Sequence, residues 1–244
     1  MRYTEEHINC VGELIERLKV HTKGVDAPTW FRGQSKSEWP LVPKLLRSTV
    51  PQSEIYLISR FKQNATLLLS RPPRNDFEWL FLMQHHSMPT RLLDWTESPL
   101  VALYFAVTEN QTDEGALWVL LPTALNEKSN YRPDYPLEIP SFEDEDLKNY
   151  LPETVASEHR SRLFPSAAIA PRNSPRMQSQ QGVFTISHRE ATPIEDVGAV
   201  GSPRDHVWRY FIPPGSKDTL LSELKILGIT RFQLFPELDS LSHI

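Results

Sequence analysis

Ionisable and polar side chains are concentrated at residues 84–96, which read QHHSMPTRLLDWT. If TRLLDWT forms a strand, Asp94 and Thr96 project from the same face, because side chains alternate along a strand. Both side chains can then line one cleft. The alternative is structural: Asp94 accepts backbone hydrogen bonds or pairs with Arg91 or Arg32, since a buried charge is normally paired.

The histidine pair His85 and His86 raises the question of a metal site. No third ligand at zinc-site spacing accompanies the pair, so we expect hydrogen-bonded or exposed imidazoles and no metal. The sequence also lacks GxGxxG, GxxxxGK, GxSxG and HExxH. These absences exclude the common dinucleotide folds, P-loop enzymes, α/β-hydrolases and zinc proteases.

Arg32 lies in WFRGQ, which reads as a short strand. A guanidinium is a rigid fork of five donors, and the neighbouring Gly33 lets another backbone approach closely, so this position suits phosphate recognition. The alternative is an arginine that stacks on Trp30 or Trp39, or that pairs with Asp94.

A second polar segment, RMQSQQGVF, places Gln178, Gln180 and Gln181 before a predicted strand. Amides there can hydrogen-bond a ribose or a base, or they can be surface residues. The surrounding region 159–189 contains arginines and no acid, whereas 143–146 is acidic. The arginines are Arg160, Arg162, Arg172, Arg176 and Arg189. Such a segment forms either a phosphate pocket or a solvated loop.

Helix signals occur at several points along the chain. Apolar residues at helical spacing over 8–18 predict an amphipathic helix that ends near Gly24. Ser53 and Asp76 are expected N-caps, and Ser98-Pro99 is typical of a helix start. Near the carboxy terminus, LLSELKIL predicts a helix capped by Ser216 and ended by Gly228.

Strands are predicted at WFRGQ, TRLLDWT, GALWVLL, 182–187, HVWRYFI and TRFQLF. Helices are expected mainly in the amino-terminal half and strands in the carboxy-terminal half, without regular βαβ alternation. The sequence therefore predicts an α+β fold in which amino-terminal helices pack on a mixed or antiparallel sheet. Residues 126–175 are proline-rich and weakly periodic, so we expect an irregular insertion with one helix near 143–150.

Composition excludes several classes of protein. No apolar run approaches the roughly 20 residues of a membrane span, and the amino terminus has no signal-peptide pattern, so we expect a cytoplasmic protein without membrane contact. The formal net charge of -5 argues against generic binding of duplex DNA.

The motifs WFRGQ, PKLLR, FEWLFLMQHHSMPTRLLDWTESPLVALYFAV, RMQSQQGVFT and LGITRFQLFPELDSL resemble the FRG domain family. The resemblance implies a single FRG-type domain over 1–244, with the insertion at about 126–175. The family occurs largely in bacterial proteins, some linked to defence against phage or to toxin-like activity. This chain departs from it at Ser87 and Met88, where the family usually has a glycine.

The chain also resembles ADP-ribosyltransferases in the order of three segments: an arginine strand, a serine/threonine strand followed by a helix, and a later strand with a glutamate or glutamine. That resemblance implies NAD as substrate, with Arg32 on the pyrophosphate, Thr96 and Gln180 on ribose hydroxyls, and Trp95 or Phe184 stacked on nicotinamide. The candidate catalytic residues are Gln180, Asp94 and His85. The candidate cofactor-binding residues are Arg32, Arg91, Thr96, Gln84 and Trp95.

The resulting hypothesis is an NAD-dependent ADP-ribosyltransferase or toxin-like effector. Its partners would be a macromolecular acceptor, protein or RNA, and an antidote or regulator protein. Two alternatives are a non-catalytic module that binds RNA or protein through its arginines, and a nuclease that uses Asp94 with His85. The shortage of clustered carboxylates near TRLLDWT disfavours the nuclease.

Overall fold

Helices and strands are interspersed along the described part of the chain. The computed structural model describes residues 2–49, 53–129, 138–158, 163–198, 205–237 and 240. The strands are β1 (Glu6–His7), β2 (Trp30–Gln34), β3 (Leu92–Thr96), β4 (Gly115–Leu120), β5 (Ser166–Ala168), β6 (Gly182–Ile186) and β7 (Val207–Ile212). The α-helices are α1 (Val11–His21), α2 (Glu54–Ala65), α3 (Asp76–His85), α4 (Pro99–Val107), α5 (Pro122–Lys128), α6 (Pro152–Ser157), α7 (Pro175–Ser179), α8 (Lys217–Ile226) and α9 (Arg231–Leu234).

The strands form one mixed sheet in the order β1-β7-β4-β2-β3-β6-β5. β1 runs parallel to β7, and the other neighbouring strands are antiparallel. β2 pairs with β4 over its whole length. Its pairing with β3 joins Phe31 of β2 to Thr96 of β3. The fold is therefore α+β with a mixed sheet, as predicted.

Helices α1, α4 and α8 cover one face of the sheet. Buried side chains from these helices form a single cluster with strand residues such as Phe31, Leu117 and Tyr210. Helices α2 and α3 pack over the β3–β6 end, against Leu92 and Phe184. Because β1–β4 lie in the amino-terminal half and α6–α9 in the carboxy-terminal half, the expectation that helices and strands separate between the two halves is wrong.

The opposite face of the sheet carries a tryptophan-rich cluster. Trp30, Trp95 and Trp118 are buried there together with Leu93 and Val207. Leu92 lies in the α2–α3 cluster while Leu93 lies here, so β3 alternates between the two faces as its sequence predicts.

Gly33 is required for the packing of α4 on β2. A Cβ atom built on Gly33 would lie 1.8 Å from the Ala102 carbonyl oxygen and 2.7 Å from the Ala106 nitrogen. The backbone that approaches Gly33 is thus that of a helix. The glycine of the FRG motif acts in the packing of the core beside Arg32.

Two of the four predicted N-caps are confirmed. Ser53 and Ser98 cap α2 and α4 through their hydroxyls, which accept from Tyr56 N and Val101 N. The cap of α3 is Asn75 instead of Asp76, and it accepts from Glu78 N at 2.9 Å. Ser216 stands at the start of α8, but its side chain makes no capping bond.

The segment TRFQLF was predicted as a strand and this prediction is wrong. Thr230 accepts from Gln233 N at 3.3 Å and starts the short helix α9. A side-chain cap therefore overrides the β-like composition of the segment.

The region 126–175 contains more regular structure than predicted. A 3-10 turn covers Glu145–Tyr150, near the expected helix, and β5 adds an edge strand to the sheet. Arg160 and Arg162 of the predicted cationic segment lie outside the described residues. Among the described helices, none has the length and apolar character needed to cross a bilayer.

Candidate functional site

A cleft of about 900 Å³ lies where β2, β3 and β6 meet helices α3, α4 and α7. Its size is within the usual range of small-molecule sites. It brings together most of the site residues predicted from the sequence. These are Arg32, Gln84, His85, Asp94, Trp95, Thr96 and Gln180.

Arg32 bridges the two central strands beside the cleft. Its Nη1 donates to the Asp94 carbonyl oxygen at 2.6 Å. Its Nε is buried and has no hydrogen-bond partner among the described residues. Burial lowers the pKa of Arg32; the charge of Asp94 opposes this shift and the charge of Arg47 adds to it. A guanidinium stays charged nonetheless, so Arg32 is a cation with an unused donor and a like-charged neighbour.

Asp94 presents an oriented carboxylate to the cleft. Gln84 Nε2 donates to Asp94 Oδ2 at 2.6 Å, and Thr90 Oγ1 donates to Gln84 Oε1 at 2.6 Å. A carboxylate only accepts hydrogen bonds, so the amide must turn its NH₂ group toward Asp94. Gln84 is therefore a positioning residue for Asp94, whose other oxygen remains available to a ligand.

Thr96 connects β3 to the glutamine segment. Its hydroxyl donates to the Gln180 carbonyl oxygen at 2.6 Å and accepts from Ser98 N at 3.0 Å. Glu97 N also donates to Gln181 O at 3.2 Å. The hydroxyl proton of Thr96 is thus already used, which makes the residue a fixed link between two walls of the cleft.

The carboxy-terminal residues 230–237, called here the carboxy-terminal wall, contact three residues that line the cleft but are not themselves among its lining residues. Gln180 Nε2 donates to Leu234 O at 3.1 Å in this wall. The Arg176 guanidinium lies 4.6 Å from the centroid of the Phe235 ring. The side chain of Gln180 is therefore anchored through its NH₂ group, while Oε1 remains as an acceptor.

His85 stands between α7 and the carboxy-terminal wall. Its Nε2 lies 3.6 Å from Glu237 Oε1, and its carbonyl oxygen accepts from Arg176 Nη1 at 3.4 Å. Burial lowers the pKa of His85, and the charges of Arg176 and His86 lower it further against the opposing effect of Glu237. The imidazole is consequently neutral near pH 7 and able to accept a proton.

Arg91, a candidate cofactor-binding residue, does not line the cleft. Its side chain is 3% exposed, and Nε donates to Glu54 Oε2 at 2.6 Å. Nη1 donates to the carbonyl oxygens of Ser187 and His188, and Nη2 to that of Tyr150. With its donor groups bound inside the protein, Arg91 has a structural role.

Trp95 borders the cleft, but its indole packs on the other side of the sheet. The residue is 3% exposed, and Nε1 donates to Thr185 Oγ1 at 3.1 Å. The ring is therefore not presented to a ligand. Phe184, the other aromatic considered for stacking, lines the cleft opposite Asp94 on β6.

Sequence reasoning missed the arginines on the outer part of the cleft. Arg47, Arg71 and Arg74 line it, together with Trp39. Arg47 ends the PKLLR motif, and Arg71 and Arg74 flank a pair of prolines. An arginine next to a rigid turn is therefore the sequence signal that could have identified them. No group of three or more His, Cys, Asp or Glu side chains suited to a metal ion occurs among the described residues.

The structure is an α+β fold with a cleft that more arginines than acids line. Residues 27–115 match the family model of the FRG domain, which confirms the predicted FRG resemblance over that segment. The matched segment carries Arg32, Gln84, His85, Asp94 and Thr96, whereas Gln180 and the carboxy-terminal wall lie beyond it. Comparisons with the curated proteins and with the solved structures gave no match.

Proposed function

We propose that this protein is an NAD-dependent ADP-ribosyltransferase. The observation that carries the proposal is the meeting of three segments in one cleft: Arg32 on β2, Thr96 on the adjacent β3, and Gln180 just before β6, which is the next strand of the sheet. Their order along the chain is that of the arginine, serine/threonine and glutamine segments to which the sequence is similar.

Arg32 is the residue that would bind the pyrophosphate of NAD. An arginine pairs with phosphate oxygens through charged, directional hydrogen bonds. Arg32 has a buried Nε that has no hydrogen-bond partner among the described residues. A phosphate oxygen bound at this Nε would satisfy the unused donor.

Asp94 would stabilise the positive charge that develops on the ribose during transfer. In that step the bond between ribose C1′ and the nicotinamide nitrogen breaks, its electron pair leaves with neutral nicotinamide, and an acceptor atom bonds to C1′. A preorganised carboxylate lowers the energy of such a centre, and Gln84 already fixes Asp94. Gln180 Oε1 adds a weaker acceptor near the ribose.

His85 would take the proton that the acceptor loses when it bonds to C1′. A general base must be unprotonated at the working pH, and both burial and Arg176 keep the pKa of His85 low. The catalytic candidates thus have separate tasks. Asp94 stabilises the positive charge that develops on the ribose, His85 takes the proton of the acceptor, and Gln180 helps to position the ribose.

The test is to incubate the protein with labelled NAD, with and without protein and RNA fractions of a cell lysate, and to measure released nicotinamide and transferred label. We expect Asp94→Asn to lower kcat by about 100-fold, because the amide keeps an acceptor for Gln84 but loses the negative charge. Arg32→Ala should raise KM for NAD by about 10- to 100-fold, which is the loss of a charged hydrogen bond.

Arg91→Lys is a matched control for Arg32→Ala, because Arg91 is structural and lies outside the cleft. Among the molecules that remain folded, this variant should turn over NAD with an unchanged KM. Failure of the wild-type protein to release nicotinamide or to label any acceptor would overturn the proposal.

A further inference from the structure

The outer part of the cleft carries arginines that one pyrophosphate does not use. We call Arg47, Arg71 and Arg74 the arginine rim; all three are exposed and line the cleft. Arg74 is engaged, since its Nε and Nη2 donate to Glu78 Oε1 at 2.8 and 2.6 Å. Arg47 and Arg71 have no ion-pair partner among the described residues.

The charge of the cleft is opposite in sign to that of the whole chain. Its lining contains five arginines against three acids. The acids are Glu78, Asp94 and Glu109. Burial alone would raise the pKa of Glu78, but bonding to Arg74 and the nearby charge of Arg71 lower it. Because Arg74 neutralises Glu78, the arginine rim stays cationic although the chain has a net charge of -5. A cationic rim on an acidic chain attracts anions to this cleft.

Apolar and aromatic surfaces lie between these cations. Trp39 is partly exposed and lines the cleft, as do Leu69 and the pair Pro72 and Pro73. Arg176, which also lines the cleft, stacks at 4.6 Å on Phe235, a residue outside the lining. Arginines that alternate with flat apolar side chains are typical of sites for unpaired nucleic acid, where phosphates meet cations and bases stack on rings.

From these contacts we infer that the arginine rim binds single-stranded nucleic acid, and that this strand is the acceptor of the transferred ADP-ribose; the second part rests on the proposed function. Arg47 and Arg71 contact backbone phosphates, and a base stacks on Trp39. A paired duplex presents no free base face to Trp39, and the net charge of -5 disfavours the binding of a duplex larger than the cleft. The acceptor atom on the strand bonds to ribose C1′ and gives its proton to His85 as nicotinamide leaves.

Binding is measured first, without NAD, by fluorescence anisotropy of labelled single-stranded RNA and DNA of one sequence and of the matching duplex. The double variant Arg47→Gln with Arg71→Gln should bind the strand at least about tenfold more weakly. The slope of log affinity against log salt concentration should fall by the amount that about two phosphate contacts contribute. Trp39→Leu should weaken binding by about tenfold with the salt dependence unchanged, because only stacking is lost.

The matched control removes the same two charges elsewhere. Lys19 and Lys23 are exposed on and after α1, outside the cleft lining. The double variant Lys19→Gln with Lys23→Gln should bind the strand like the wild type. Equal effects of the two double variants, or duplex binding as tight as strand binding, would overturn the assignment of the rim.

Transfer is measured second, with NAD labelled on the adenylate phosphate and with RNA, DNA or lysate protein as acceptor. We expect label on the single strand. In the rim variant this label should be lost, while the release of nicotinamide without an acceptor should persist. The comparison of RNA with DNA as acceptor shows which of the two sugars the protein requires. Label on protein alone would overturn the acceptor assignment and leave the proposed function standing. Strand binding without any NAD turnover would overturn the proposed function, and with it the acceptor assignment.

Discussion

The surroundings of Arg32 and Arg91 distinguish a candidate binding residue from a structural one. Both arginines lie in or next to central strands of the sheet, and both were predicted to bind a cofactor. Arg91 donates to Glu54 and to three carbonyl oxygens, whereas Arg32 makes one backbone bond, keeps a buried unpartnered Nε and has a second cation nearby. A buried arginine is a candidate ligand-binding residue only when its donors exceed the acceptors that the protein supplies.

The largest effect is expected for Arg91→Ala. The change removes the donors that Arg91 supplies to Glu54 and to three carbonyl oxygens, and breaking a buried ion pair costs about 3–5 kcal/mol. Arg32→Ala loses one hydrogen bond to Asp94 and should cost about 1 kcal/mol. Urea unfolding of both variants measures the two free energies.

Equal losses of stability in these two variants would show that Arg32 is as structural as Arg91, and would remove the distinction on which the cleft assignment depends. Glu54→Gln is the matched control for Arg91, because it keeps the shape and an acceptor oxygen. It should lose less stability than Arg91→Ala.

An intermediate effect is expected for Gly33→Ala, next to Arg32. The new Cβ atom would meet the Ala102 carbonyl oxygen at 1.8 Å, so α4 must move away from β2. Overpacking of this kind costs about 1–3 kcal/mol, measured as a lower midpoint of thermal unfolding. Gly215→Ala, where no atom lies within 4 Å of the added methyl, should change stability little. A Gly33→Ala protein as stable as the Gly215→Ala protein would refute the packing role.

The smallest effect concerns the pH dependence of stability near Arg91. Burial lowers the pKa of His188 from its ordinary 6.5, and the charges of Arg91 and Arg189 lower it further. The unfolded chain therefore binds a proton more readily, so stability present above pH 6.5 is lost as the pH falls through the folded pKa. His188→Gln should make the loss of unfolding free energy between pH 7 and pH 5 shallower.

His85 gives the corresponding comparison in the cleft. Its pKa is also lowered, but its side chain is 27% exposed, so His85→Gln should change this pH dependence less than His188→Gln. A slope that stays as steep in the His188→Gln protein as in the wild type would contradict the assignment of His188.

Local rules predicted much of the fold from the sequence. Alternation in TRLLDWT correctly placed Asp94 and Thr96 on one side of β3 and Leu93 and Trp95 on the other. The caps at Ser53 and Ser98 are hydrogen bonds to a backbone NH three residues further along the chain. Because they involve only local sequence, they too could be predicted. The cap at Asn75 was missed because two adjacent residues can both accept a hydrogen bond, and sequence alone does not choose between them.

The site was harder to predict because its members are distant in sequence. Gln180 could be proposed from motif order, but its bond to Leu234 depends on how α7 meets α9. The roles of Arg32 and Arg91 were indistinguishable because both adjoin apolar strand residues, and only tertiary structure shows which guanidinium finds enough acceptors. Arg47 and Arg71 lie in turns, where no periodic pattern indicates the direction of a side chain.

The segment that carries Arg176 and Gln180 completes a cleft most of whose lining lies within residues 27–115. Proteins grouped by that matched segment would have in common the part with Arg32 and Asp94, while later residues supply Arg176 and Gln180. Selection can therefore alter the smaller part of the cleft lining while the larger part is retained. A fragment cut at the boundaries of the match would also lack β6, the strand that pairs with β3 along its whole length.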